Sequence, residues 1–216
     1  MRFEKIEKGI FLLKVPFEDL YTSVFAVKAG EEIALVDTAT TEDDVTRCIL
    51  PALDDLLARE GGTLRYILLT HSHGDHAGGA PMLAAHFQSV PVCTLQRMDF
   101  PLFRQLSDGE EIMGCLRVVH LPGHSPFSVG YYDTRSRVLL SGDCLQLRGV
   151  GKYTRGISDR EAYVASVERL ERMDIDCIVA SHDYVPLGST AKGKKAVSAY
   201  LYACKSICRE QEKNVR

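Results

Sequence analysis

The chain has 216 residues, with 26 Lys and Arg against 29 Asp and Glu and a formal charge of −3 when its seven histidines are neutral. Charged residues at 25% and apolar residues at 45% match globular averages and exclude a disordered, collagen-like or disulfide-scaffold chain. At this length roughly 70–75% of the unfolded surface can be buried, so core size is not limiting, and the balanced charge gives no drive towards nucleic acid or an anionic membrane.

The opening stretch MRFEKIEKGIFLLKV interrupts each apolar run with charge, so no secretory signal is expected. Apolar runs beyond it, such as YILL at 66–69 and VLL at 138–140, are far short of a membrane span. The cysteines at 48, 93, 115, 144, 177, 204 and 208 are odd in number and scattered through apolar segments. They read as reduced core thiols of a cytoplasmic protein, with Cys204 and Cys208, one helical turn apart, as packing residues.

In chain order, β-type runs at 10–15, 22–28 and 32–37, separated by turn residues such as Gly30, predict an antiparallel start. Thr41 with Asp44 marks a helix start, and Val45, Cys48, Ile49, Leu53, Leu56 and Leu57 keep helical spacing after it, with a kink expected at Pro51. A buried strand at 64–70, a helix at 76–87 and strands at 90–94 and 115–121 follow. Strands at 128–133 and 137–142, a helix at 158–173, a strand at 177–181 and a helix from about 191 to 212 complete the order. The two halves repeat one order of elements with no linker between them. The expectation is therefore a single α/β domain over residues 1–216, with two sheets packed together and helices outside.

Residues 70–79 read THSHGDHAGG directly after the strand LRYILL, which gathers His71, His73, Asp75 and His76 within six positions. In an extended chain residues i and i+2 point the same way, so His71 and His73 can grip one ion. Gly74 is expected to let the backbone turn, so that Asp75 and His76 face a second position. Three further donors each follow a predicted strand: His124 in LPGHSP, Asp143 in LLSGD and His182 in VASHDY. Ends of strands are where sheet proteins tend to hold their sites. His120 is read as a support for the His124 loop and His86 as a surface residue. Cys144, beside Asp143, is read as lying outside an already full ligand set.

These four motifs, THSHGDH, LPGH, SGD and SHDY, resemble the metallo-β-lactamase superfamily and, within it, the glyoxalase II-like (hydroxyacylglutathione hydrolase-like) branch. The resemblance covers residues from about 20 to 190. It implies an αββα sandwich of two mixed sheets, a first ion on His71, His73 and His124, a second on Asp75, His76 and His182, and Asp143 bridging both. In β-lactamases proper this Asp is generally absent, so Asp143 favours the hydrolase branch.

Two divalent cations about 3.5–4 Å apart lower the pKa of a shared water towards neutrality. That chemistry needs no nucleophilic Ser, and no GxSxG elbow occurs in the sequence. Asp75 would orient the nucleophile or take its proton. Zinc is the first expectation, with iron and manganese as alternatives for a His and carboxylate ligand set. The loop after Asp143, CLQLRGVGKYTRGISD, carries Arg148, Lys152 and Arg155 among glycines, a pattern suited to an anion. By resemblance Lys152 and Tyr153 in GVGKY, and Tyr184 two residues after His182, contact an acyl-thiol substrate that carries a carboxylate. The expectation is thus a binuclear hydrolase of a small anionic thioester of the hydroxyacylglutathione type. The alternatives are a lactonase, disfavoured by Gln146 where such enzymes carry Tyr, and a persulfide dioxygenase-like oxidoreductase with a single iron. A full-length glyoxalase II carries a helical C-terminal domain of which only the helix from about 191 to 212 corresponds here.

Overall fold

Long apolar runs rich in Val, Ile, Leu and Phe become strands, and segments with 3.6-residue spacing become helices. The computed structural model describes residues 1–18, 20–145, 156–183 and 188–213. They divide into two compact units, Met1–Ser107 and Asp108–Arg216, each built on one sheet.

The first unit opens with β1 (Glu4–Glu7), β2 (Ile10–Phe17), β3 (Leu20–Ala29) and β4 (Glu32–Val36), joined as antiparallel neighbours. Its seven-stranded sheet continues through β5 (Thr63–Leu68), β6 (Val92–Thr94) and β7 (Phe103–Gln105), each parallel to the strand before it. Between β4 and β5 the chain runs through α1 (Glu42–Asp44), a π-helical turn over Val45–Ile49, and α2 (Leu50–Glu60). Thr41 and Asp44 form the expected capping box: the Thr41 hydroxyl accepts from the Asp44 amide at 3.1 Å and the Asp44 carboxylate accepts from the Thr41 amide at 2.9 Å. The anomaly at Pro51 takes the form of the π turn, in which the Leu50 amide donates to Val45 O. Pro51 has no N–H for the ladder, and the wider turn just before it absorbs the mismatch. Val45, Ile49, Ala52, Leu53 and Leu56 are all buried and pack with Phe11, Leu13, Val24, Ile33, Leu35 and Ile67 of the sheet.

The predicted helix over 76–87 is two helices, α3 (Gly74–Ala77) and α4 (Ala80–His86). Gly78 and Gly79 separate them.

The second unit has a six-stranded sheet in the order β13-β12-β11-β10-β9-β8. Its strands are β8 (Glu111–Ile112), β9 (Leu116–His120), β10 (Val129–Asp133), β11 (Val138–Gly142), β12 (Cys177–Ala180) and β13 (Thr190–Lys192). Only the β11–β12 pair is parallel among them. Helix α5 (Arg160–Glu171), capped by the Asp159 carboxylate, follows the β11 strand; α6 (Lys194–Lys213) ends the described chain. Tyr163, Val167 and Leu170 of α5 and Val197, Tyr200, Leu201 and Cys204 of α6 share a core with Val119, Tyr132, Leu139 and Ile178 of the sheet. Both sheets mix parallel and antiparallel pairs and carry helices, which is the α/β class expected.

Short edge strands β1, β7, β8 and β13 are absent from the sequence reading. The helix expected from about 191 starts at Lys194, because residues 190–192 pair antiparallel with β12 and Gly193 turns the chain at φ +88. Among the described residues no disulfide joins the cysteines. Burial pushes the Cys204 thiol up to about 12 against the opposing bond from Tyr163, which fits a packing role.

Asp133 is fully buried at the end of β10 and accepts from the Arg135 amide at 3.0 Å, the Ser136 amide at 2.9 Å and the Ser136 hydroxyl at 3.1 Å. Burial alone would raise its carboxyl, but the bonds from Arg135 and Ser136 outweigh it and hold the group below the usual carboxylate range. A depressed carboxylate stabilises the fold above its unfolded value of about 3.9 and loses that effect as pH falls through its folded value. The urea stability of wild type minus that of Asp133→Asn is therefore expected to be constant from pH 7 to about 4 and to shrink below that.

Candidate metal centre

In the first unit the donors follow β5. His71 is buried at 1% exposure, whereas His73 is exposed and serves as the N-terminal flank of α3. Their ring centroids are 4.6 Å apart, and those of His71 and His76 4.2 Å. Gly74 keeps a negative φ and is the first residue of α3, so the turn expected from glycine freedom is made by the helix itself. That helix carries Asp75 and His76 together, with His76 Nε2 3.5 Å from Asp75 Oδ2.

Behind these ligands stands Asp37, just past β4, fully buried and at φ +62. Its carboxylate accepts from His76 Nδ1 at 2.8 Å, from the Thr70 amide at 2.8 Å and from the Thr70 hydroxyl at 2.9 Å. The bond to Nδ1 sets the His76 tautomer and leaves Nε2 as the coordinating atom, the usual arrangement of a carboxylate behind a metal-binding histidine. Thr38 adds a grip on the same turn: its amide and hydroxyl donate to His76 O at 2.7 and 2.8 Å. This approach requires the glycine pair. A Cβ on Gly78 would lie 2.0 Å from Thr40 O, and one on Gly79 would lie 2.2 Å from Thr38 O and 2.5 Å from Val45 Cγ2.

In the second unit Asp143 and His182 follow the parallel neighbours β11 and β12, which brings them side by side. Asp143 presents Oδ1 to His182 Nε2 at 3.4 Å and Oδ2 to His124 Nε2 at 3.7 Å. Both separations exceed a good hydrogen bond, while all three residues are at most 7% exposed. Nitrogen and oxygen donors gathered at such spacing suit a candidate metal site. His124 Nδ1 donates to Gly156 O at 2.6 Å, which directs its Nε2 towards Asp143. The segment before it is clamped to the start of α5: Gly123 O accepts from the Ser158 and Asp159 amides at 2.7 and 2.9 Å, and Pro122 O accepts from the Ser166 hydroxyl at 2.7 Å. His120 supports the loop as expected, its Nε2 donating to Pro126 O at 2.8 Å, and His86 is exposed.

A family model described as the metallo-beta-lactamase superfamily matches the chain over residues 18–102 and 96–182. The chain belongs to the metallo-beta-lactamase superfamily. It is 32% identical over 151 residues to the uncharacterized protein YobT of Bacillus subtilis, covering 58% of this chain and 62% of that protein. It is 30% identical over 180 residues to a hydroxyacylglutathione hydrolase of Aeromonas hydrophila, covering 80% of this chain and 65% of the hydrolase. The chain spans between 50% and 62% of the length of several curated relatives it matches. The crystal structure of the DIM-1 metallo-beta-lactamase shares the fold at a TM-score of 0.75 with 18% identity, over 97% of both chains.

Within the first unit His71, His73, Asp75 and His76, and within the second His124, Asp143 and His182, are the side chains of the described residues that could hold a metal ion. Cys144, buried beside Asp143, is outside both clusters. Arg148, Lys152, Tyr153, Arg155 and Tyr184 lie outside the described residues. The sequence reading missed Asp37 and Thr70. A signal for Asp37 was present, because an Asp closing an otherwise apolar strand is the pattern that exposed Asp143. Among the described residues no helix is long and apolar enough to cross a membrane.

Gly79→Ala is expected to lower stability by about 1–3 kcal/mol in urea unfolding, as overpacking against fixed backbone does. Gly74→Ala, at a helical φ with open space around its Cβ, is expected to leave stability unchanged or slightly raised.

Proposed function

We propose that the two units act as one domain and that their ligand sets form one dinuclear centre. His71, His73 and His124 would hold one ion, and Asp75, His76, Asp143 and His182 the other. The proposed reaction is hydrolysis of a small anionic thioester of the hydroxyacylglutathione type. The single observation that carries this reading is the Asp143 carboxylate, buried and turned with a different oxygen to each of two histidines. A mononuclear iron site would not call for a carboxylate used on both sides. Similarity to a relative named hydroxyacylglutathione hydrolase supports the thioester. Zinc is the proposed metal, and the cytoplasm the proposed compartment, which cysteines without a disulfide among the described residues suit.

When bound, such a pair supplies an acidified water and polarises a carbonyl. The chain's own residues do the rest. Asp75, partly exposed beside buried His76, would orient that water and accept its proton, a role a carboxylate fills without a basic histidine. His76 and His124 keep Nε2 directed at the centre because their Nδ1 protons are held by Asp37 and Gly156 O. By the resemblance of the loop sequence, Lys152, with Arg148 and Arg155, would receive the substrate carboxylate, and Tyr153 and Tyr184 would be further substrate contacts.

Metal analysis combined with a panel of thioesters, lactones and phosphodiesters tests the reading. Two equivalents of zinc per chain and preference for thioesters are expected, whereas one iron with oxygen uptake would sink it. His73→Ala should retain the circular dichroism of the wild type while losing metal-dependent turnover; unchanged hydrolysis would refute the centre. Lys152→Ala should raise KM for anionic thioesters about tenfold or more, the loss of a charge-assisted bond, with little change for neutral ones.

A further inference from the structure

Within the first unit the two halves of the ligand segment share a single buried anchor. Asp37 Oδ2 accepts from His76 Nδ1 at 2.8 Å, and the same oxygen accepts from the Thr70 hydroxyl at 2.9 Å. Thr70 Oγ in turn lies 3.1 Å from His71 Nδ1. A hydroxyl has one proton, and an ionised carboxylate can only accept. The Thr70 proton therefore goes to Asp37, its lone pair receives the His71 Nδ1 proton, and His71 is left with Nε2 as its coordinating atom. Thr70 Oγ is also 3.4 Å from His76 Nδ1, but that proton has the shorter, charge-assisted bond to Asp37. Thr70 is itself held by its amide, which donates to Asp37 Oδ1 at 2.8 Å. Asp37, Thr70, His71 and His76 are all at most 1% exposed, so water does not compete for these bonds.

We propose that Asp37 is a common positioning residue for ligands of two different ions, and that the Thr70 hydroxyl is the branch that extends it to His71 alone. The inference rests on the dinuclear reading, in which His71 serves one ion and His76 the other. It assigns unequal effects to the two residues: loss of the hydroxyl disturbs one ion, and loss of the carboxylate disturbs both. Partners behind metal-binding histidines typically set affinity by roughly 10–100-fold.

The test is a metal titration of wild type, Thr70→Val, Thr70→Ser and Asp37→Asn. Zinc affinities are read by chelator competition, and the environment of each site by cobalt absorption. Wild type is expected to bind two ions; binding of fewer overturns the dinuclear reading itself. Given two, Thr70→Val, which keeps shape and removes the hydroxyl, should weaken one ion by roughly 10–100-fold and alter its cobalt spectrum while the second ion is nearly unchanged. Thr70→Ser should restore the first. Equal weakening of both ions in Thr70→Val, no weakening, or no rescue by Ser would overturn the branch. Asp37→Asn should weaken both, and weakening of one alone would overturn the shared anchor. Should that variant fail to fold, the Thr70 pair decides the question.

Discussion

Asp37 carries a carboxylate with no exposure to solvent, a position that costs several kcal/mol unless donors surround the charge. Here the donors are the Thr70 amide and hydroxyl and the His76 ring. The end of β4 and, more than thirty residues later, the segment that runs from the end of β5 into helix α3 are therefore bound to one point. The left-handed backbone at Asp37, the glycine pair after α3 and the grip of Thr38 on His76 O follow from bringing them that close. Removing any donor would leave the charge under-satisfied, so the ligands and the fold of the first unit depend on the same bonds.

The second unit solves a similar problem with backbone groups. His124 is oriented by Gly156 O and its loop by amides at the start of α5. Parallel pairing of β11 and β12 supplies the remaining alignment, because parallel neighbours present their C-terminal ends together and so set Asp143 beside His182. Antiparallel pairing would have put these two residues at opposite ends of the sheet. One parallel pair within an otherwise antiparallel sheet thus sets these two side chains together.

Both units place ligands just past strands and fix the rings through Nδ1 or its equivalent partner, yet the anchors differ in kind. A charged anchor in the first unit strengthens the donor character of its histidine, whereas a neutral carbonyl in the second mainly orients it. Such a difference would make His76 a stronger donor than His124.

Much of this was legible in the primary structure. Ligands clustered as His-x-His-x-Asp-His and three donors after apolar strands name themselves, because metal chemistry demands particular atoms at short spacing and no packing requirement mimics it. Long strands and the helices α2, α5 and α6 were equally readable, since burial over many residues leaves a periodic signal. Edge strands of two to four residues were not, for they are set by pairing with a neighbour rather than by their own composition. The sequence by itself determined which residues are the candidates to hold metal. Only the tertiary structure decided which groups aim them, as Asp37 and Gly156 act across 39 and 32 residues of chain, and contacts at such separation are created by folding and leave no local pattern to read.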